Sequence, residues 1–71
     1  MNINEGDRAL IISINGSLEF KNFLLSNGIA LGSVVTKNYS PSYARLINFT
    51  ICGKMLSLNT KDFELLDLVK I

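Results

Sequence analysis

Two glycines four positions apart, in the stretch "LLSNGIALGSVV", constrain the fold of this 71-residue chain more than any other feature. Gly28 follows a segment in which Phe20, Phe23 and Leu24 recur at the helical spacing i, i+3, i+4. A residue just past a helix end commonly adopts the left-handed conformation, where glycine is favoured. Gly32 precedes the apolar "VV", at a turn position where a positive φ is often required. We interpret the pair as a helix end and a tight turn into a strand, and not as a phosphate-binding loop.

A strand is predicted before this helix. "RALIISI" is rich in β-branched and aliphatic residues, which indicates a strand over residues 7–14. Ser17 is a suitable N-cap for the helix that follows. Glu19 lies in the first helical turn, where a negative charge is favoured by the helix dipole.

Four further runs have the length of strands: "SVVTKNY", "RLINFTIC", "KMLSLN" and "LLDLVKI". Gly53 with Lys54 is predicted to form a tight hairpin turn between the second and third runs. "NTKDFE" is predicted to be one helical turn capped by Asn59. Alternation predicts a core-facing set: Ile47, Phe49, Ile51, Leu56, Leu58, Leu66 and Leu68. The chain is therefore expected to form one domain over residues 1–71, a mainly β, partly closed, five-stranded antiparallel barrel with one short α-helix after strand 1 and a helical turn before the last strand.

The charge balance argues against a nucleic-acid surface. Seven basic and six acidic residues leave a net charge of +1, and the basic residues are dispersed along the chain. A nucleic-acid-binding domain usually has a concentrated basic stripe, so an RNA-binding small barrel is disfavoured. The single cysteine excludes an intramolecular disulfide framework, and the N-terminus lacks the pattern of a signal peptide. We expect a cytoplasmic protein.

No catalytic constellation is visible in the sequence. The chain has no histidine, and Cys52 therefore has no histidine partner with which to form a nucleophilic pair. We interpret Cys52 as a packed or merely tolerated thiol in an apolar strand. The acids of "DFELLD" could hold a hard cation loosely, but such runs are more often a solvated face. We expect no enzymatic activity, no cofactor and no metal site.

Contact with another protein is the mode of action that these residues favour. Tyr39, Pro41 and Tyr43 lie on the predicted loop "NYSPSYAR", where aromatic side chains offer a large contact area. Arg45 beside them can donate to a carboxylate of a partner. The alternative is that one tyrosine only covers the open end of the barrel. The helix is a second candidate, because Leu18, Leu24 and Leu25 are too many leucines for one narrow apolar face.

The order of these motifs resembles the FeoA domain (ferrous iron transport protein A). "FLLSNGIALGSVV" is similar to the family's helix end, turn and strand, and the Gly6-Asp7 opening, "ICGKMLSL" and "DFELLDLV" match further family motifs. The resemblance covers nearly the whole chain. The sequence departs from the family at Phe23, where members often have Arg, and at Leu31, where the family turn usually has Pro. Its loop "YSPSYA" also differs, so contacts made through those positions are not carried over.

The resemblance implies an SH3-like barrel without enzymatic activity. It implies a cytosolic accessory protein in transition metal transport that contacts the cytosolic part of the ferrous iron transporter FeoB. Such a protein would reach the membrane only through its partner, with weak homo-oligomerisation left open.

The same domain also occurs at the C-terminus of metal-responsive repressors of the DtxR type. A self-associating module, or the regulatory end of such a repressor, is therefore the alternative. Because the sequence begins at a methionine and no DNA-binding helices precede the barrel, we expect the free-standing form.

Overall fold

Five strands and two short helices make up the fold, which a computed structural model describes for residues 3–41 and 43–71. In chain order the elements are β1 (Arg8–Ile14), α1 (Leu18–Ser26), β2 (Val34–Lys37), β3 (Leu46–Ile51), β4 (Lys54–Asn59), α2 (Thr60–Phe63) and β5 (Leu66–Lys70). The strands form one antiparallel sheet in the order β4-β3-β2-β1-β5. The predicted mainly β fold with five antiparallel strands is confirmed, as is the placement of both helices.

The two ends of α1 are fixed by local hydrogen bonds. At its start the Phe20 amide donates to Oγ of Ser17 at 3.1 Å, as expected of an N-cap. At its end the Ile29 amide donates to the Leu24 carbonyl at 2.9 Å, and Gly28, with φ +79°, adopts the left-handed conformation. Ile29 and Leu24 are both buried, so the apolar contact that usually accompanies this motif is also present.

A tight turn then returns the chain to the sheet. The Ser33 amide donates to the Ala30 carbonyl at 3.1 Å, and Gly32 within this turn has a φ of +86°. The turn is also attached to β1, because the Gly32 amide donates to the Ile11 carbonyl at 2.8 Å. The assignment of both glycines to structural turns is confirmed.

The core lies between the curved sheet and α1. Phe49 of β3 is fully buried, and its ring lies 5.8 Å from that of Phe63, centroid to centroid. Asn59 caps α2 by accepting the Asp62 amide at 2.7 Å, which holds Phe63 over the core. The predicted alternation is confirmed by residues that are buried or packed against the core: Ile47, Phe49, Ile51, Leu56, Leu58, Leu66 and Leu68.

The apolar face of α1 is narrower than the helical spacing predicts. Leu24 is buried and Phe20 packs against the core, but Phe23 is exposed. Phe23 lies at the edge of this face: it lines a small pocket with Phe49 and Leu56 but stays 53% exposed. The helical spacing groups Phe23 with Phe20 and Leu24, and the structure buries it less than either of them.

The hairpin turn between β3 and β4 is shifted by one residue from its predicted position. Ile51 pairs with Lys54, so the two turn residues are Cys52 and Gly53 and not Gly53 and Lys54. Their φ values of +50° and +77° are those of a type I′ turn, whose twist matches that of the flanking strands. Cys52 is consequently exposed in a turn, so its predicted position in a strand is wrong, and of the two interpretations offered for its thiol the packed one is wrong.

The left-handed conformation at Gly28 gives a testable prediction about stability. A Cβ built at this position would have no atom within 4 Å, so substitution costs only backbone strain. We expect Gly28→Ala to lower the free energy of unfolding by about 1–2 kcal/mol. Gly28→Val, with its branched Cβ, should lower it further. Urea unfolding would measure both changes.

Gly28→Asn is the matched control, because asparagine tolerates the left-handed region better than alanine. It should lose less stability than the alanine variant. Equal stabilities of wild type and Gly28→Ala would contradict the assigned backbone geometry.

Candidate partner-binding surfaces

The loop between β2 and β3 carries the predicted contact residues. Tyr39 and Tyr43 are 64% and 86% exposed, so neither covers the end of the barrel. Arg45 is also exposed, and Pro41 is half-buried. Ser42, between them, lies outside the described residues. The tyrosines thus present large, accessible aromatic surfaces with polar tips.

Hydrogen bonds attach one end of this loop to β3 and the other end to α2. The amide of Asn48 donates to Oγ of Ser40 at 2.8 Å, and the Asn48 side chain donates to the Tyr39 carbonyl at 3.0 Å. The Thr60 amide at the start of α2 donates to the Arg45 carbonyl at 3.1 Å. The ends of the loop are therefore positioned by β3 and α2.

A basic pocket of about 260 Å³ lies between this loop and α2. It brings together two of the predicted residues, Pro41 and Arg45, while neither tyrosine contributes to its lining. Lys37 adds a second cation, and its Nζ also donates to the Ile3 carbonyl at 3.1 Å. Two cations beside hydroxyl groups favour a carboxylate ligand. Among the residues that the structure describes, the lining consists of Lys37, Ser40, Pro41, Arg45, Leu46, Ile47 and Thr60.

An apolar groove of about 420 Å³ lies on another part of the surface, between α1 and β1. Ile12, Leu25 and Leu31 line it and are 54%, 64% and 65% exposed. Sequence reasoning identified only one signal of this surface, the excess of leucines in α1. Leu18 and Leu25 are the exposed ones, and Leu24 is buried.

Asp62 and Asp67, the first and last acids of "DFELLD", each accept a hydrogen bond from a different part of the chain. Asp62 accepts a hydrogen bond from the Asn59 side chain at 3.2 Å, and Asp67 accepts one from the Asn15 side chain at 3.1 Å. Within residues 3–41 and 43–71, no three acidic or cysteine side chains converge as metal ligands would. Neither of the two helices in the described chain is long and apolar enough to cross a membrane.

Asp7, which directly precedes β1, is an acid whose pKa the structure perturbs. Its Oδ2 accepts the Asn4 amide at 2.8 Å and lies 3.3 Å from Nζ of Lys70. These contacts hold the pKa of Asp7 below its ordinary value of 3.8, chiefly through the Asn4 backbone hydrogen bond and then through Lys70. They tie the start of β1 to the end of β5.

The direction of this shift predicts an effect of pH. Because the folded pKa is depressed, the contribution of Asp7 to stability is complete above the unfolded pKa, near 4, and is lost as the pH falls through the folded value. Asp7→Asn should therefore be less stable than wild type at pH 6, with the difference shrinking at pH 3. Urea unfolding at both pH values measures it.

Lys70→Met is the matched control. The larger cause of the shift, the Asn4 amide, is still present in this variant, so most of the pH dependence should remain. A difference between wild type and Asp7→Asn that does not shrink in acid would contradict the assignment.

Comparison of structures finds similar proteins where comparison of whole sequences does not. No protein-family profile matches the chain, and no curated protein matches it in sequence. The crystal structure of an iron uptake regulatory protein, FeoA, superposes with a TM-score of 0.83 at 17% identity, covering 97% of this chain and 89% of that one. Iron(II) transport protein A from Clostridium thermocellum superposes with a TM-score of 0.90 at 17% identity, covering 97% of this chain and 43% of that one.

A manganese-dependent transcriptional repressor is similar to the same extent. It superposes with a TM-score of 0.89 at 18% identity, and the match covers 97% of this chain but 38% of the repressor chain. This chain therefore spans less than half of the second and third of these proteins. Together the superpositions establish an SH3-like fold of the FeoA type, as the sequence resemblance predicted.

Proposed function

We propose that this protein is a small cytoplasmic accessory protein of ferrous iron uptake that regulates a FeoB-type transporter by contacting its cytosolic part. The observation that carries the proposal is the superposition on the iron uptake regulatory protein FeoA, which extends over 97% of this chain and 89% of that one. A match that extends over nearly the whole length of both chains supports a shared role better than a match to one part of a larger protein.

The exposed surfaces support a role in binding rather than in catalysis. Tyr39 and Tyr43 are exposed next to a pocket that contains Arg45 and Lys37. Aromatic residues and arginine are enriched at the centres of protein interfaces. We infer that this loop contacts an acidic part of the partner and that the protein has no enzymatic activity.

Tyr43→Ala tests the contact directly. Because the side chain is 86% exposed, the substitution should change stability by less than about 1 kcal/mol. It should reduce recovery of the transporter when the tagged chain is cross-linked and purified from membranes of the source cell. Captured proteins would be identified by mass spectrometry.

Met55→Ala is the control, since Met55 is also exposed, at 74%, but lies on β4, outside the loop. It should capture the transporter as wild type does. Loss of folding in Tyr43→Ala would contradict the assignment of Tyr43 to a binding surface. Failure of the wild-type chain to enrich the transporter would contradict the proposed function.

Regulation of transcription is the second candidate. The similarity to a manganese-dependent transcriptional repressor, at a TM-score of 0.89, favours it. In that case the purification would recover a DNA-binding protein, or the chain itself, in place of a transporter.

A further inference from the structure

The groove between α1 and β1 lies beside an irregularity in the sheet. β1 pairs with β5 through Ile11 and Leu68 and then through Ser13 and Asp67, which leaves Ile12 as an extra residue on β1. Ile12 directly follows the buried Ile11, so strand alternation places its side chain on the opposite face of β1. There it is exposed and lines the groove.

Two other elements contribute exposed aliphatic side chains to the same groove. Leu25 lies in the last turn of α1, and Leu31 lies in the turn that carries Gly32. The hydrogen bonds from Gly32 to the Ile11 carbonyl and from Ile29 to the Leu24 carbonyl fix this turn against both β1 and α1. The backbone that carries the three aliphatic side chains is thus held in place by hydrogen bonds.

The charge of the groove indicates what kind of partner it suits. Lys21, one helical turn before Leu25, is the charged residue among its lining side chains, and Ser13 and Asn22 supply the polar ones. A single cation beside an apolar surface complements a carboxylate placed beside aliphatic side chains. Exposed apolar surfaces rimmed by polar groups commonly mark sites of protein contact.

We propose that this groove binds an amphipathic helical segment of a partner protein, with aliphatic side chains against Ile12, Leu25 and Leu31 and a carboxylate beside Lys21. Helices dock in such grooves through apolar side chains spaced i, i+3 or i+4, and i+7. This proposal rests on the proposed function only in assuming that the protein acts by contacting another protein. It concerns a surface separate from the loop between β2 and β3 that carries Tyr39 and Tyr43, here called the tyrosine loop.

The test uses two synthetic peptides and the full chain labelled with 15N. One peptide is an amphipathic helix with leucines at i, i+4 and i+7 flanked by glutamates, and its twin has lysine in place of each glutamate. We expect the acidic peptide to bind more tightly and to shift the amide resonances of Ile12, Leu25 and Leu31. Lys21→Glu should reverse the preference between the peptides by roughly two- to fivefold, the size of an exposed ion pair.

Leu25→Ser should weaken the binding of the acidic peptide by roughly fivefold or more, as truncation of an interface anchor does. Met55→Ser is its matched control, because Met55 is also an exposed apolar residue but lies on the opposite hairpin, and it should bind as wild type does. Unfolding curves of both variants would verify that they are folded.

Three results would overturn the proposal. They are an absence of peptide-dependent shifts at the groove, an unchanged peptide preference in Lys21→Glu, and shifts that depend on protein concentration, which would indicate a second copy as the occupant. Since no transporter is present in this experiment, its failure is distinguishable from failure of the proposed function. Binding of the peptide at the groove by a chain that does not capture the transporter would support the groove and reject that function.

Discussion

The hydrogen bonds that return the chain from α1 to the sheet hold the rest of the structure together. The Ile29 amide donates to the Leu24 carbonyl and closes the end of the helix, and three residues later the Gly32 amide donates to the carbonyl of Ile11 in β1. Both steps need a residue in the left-handed conformation, with φ of +79° at Gly28 and +86° at Gly32. Without them β2 could not begin beside β1, because the helix would continue past the position where the sheet requires a strand.

The same connection determines which apolar side chains are buried. It places Ile29 and Leu24 inside the barrel, and it leaves Leu25 and Leu31 outside, on either side of the groove. A 71-residue chain has too little interior to cover every aliphatic residue of a short helix. The surface that we propose for a partner therefore arises from the same segment that completes the fold.

Much of the architecture was predictable because it depends on local chemistry. The N-caps Ser17 and Asn59, the glycine at the helix end and the alternation in β3 follow from backbone and side-chain preferences of a few adjacent residues. The exposure of Phe23 was not predictable, since it depends on how wide a stripe of α1 the sheet can contact.

The candidate surfaces were predictable only in part, for a related reason. The tyrosine loop is contiguous in sequence, so its residues could be proposed together. The basic pocket joins Lys37 to Arg45 and Thr60 across three elements, and the bulge beside the groove is defined by the pairing of β1 with a strand more than fifty residues later. Long-range pairing of this kind leaves no mark in a single sequence.

The most direct test of a contact-based role is to titrate the 15N-labelled chain with the purified cytosolic part of a FeoB-type transporter from the same cell. Saturable binding is predicted, with amide shifts confined to the tyrosine loop, the basic pocket and the groove. An absence of binding at concentrations well above those of both proteins in the cell would contradict the account. So would shifts restricted to the Cys52–Gly53 hairpin, because that part of the molecule carries none of the proposed contact residues.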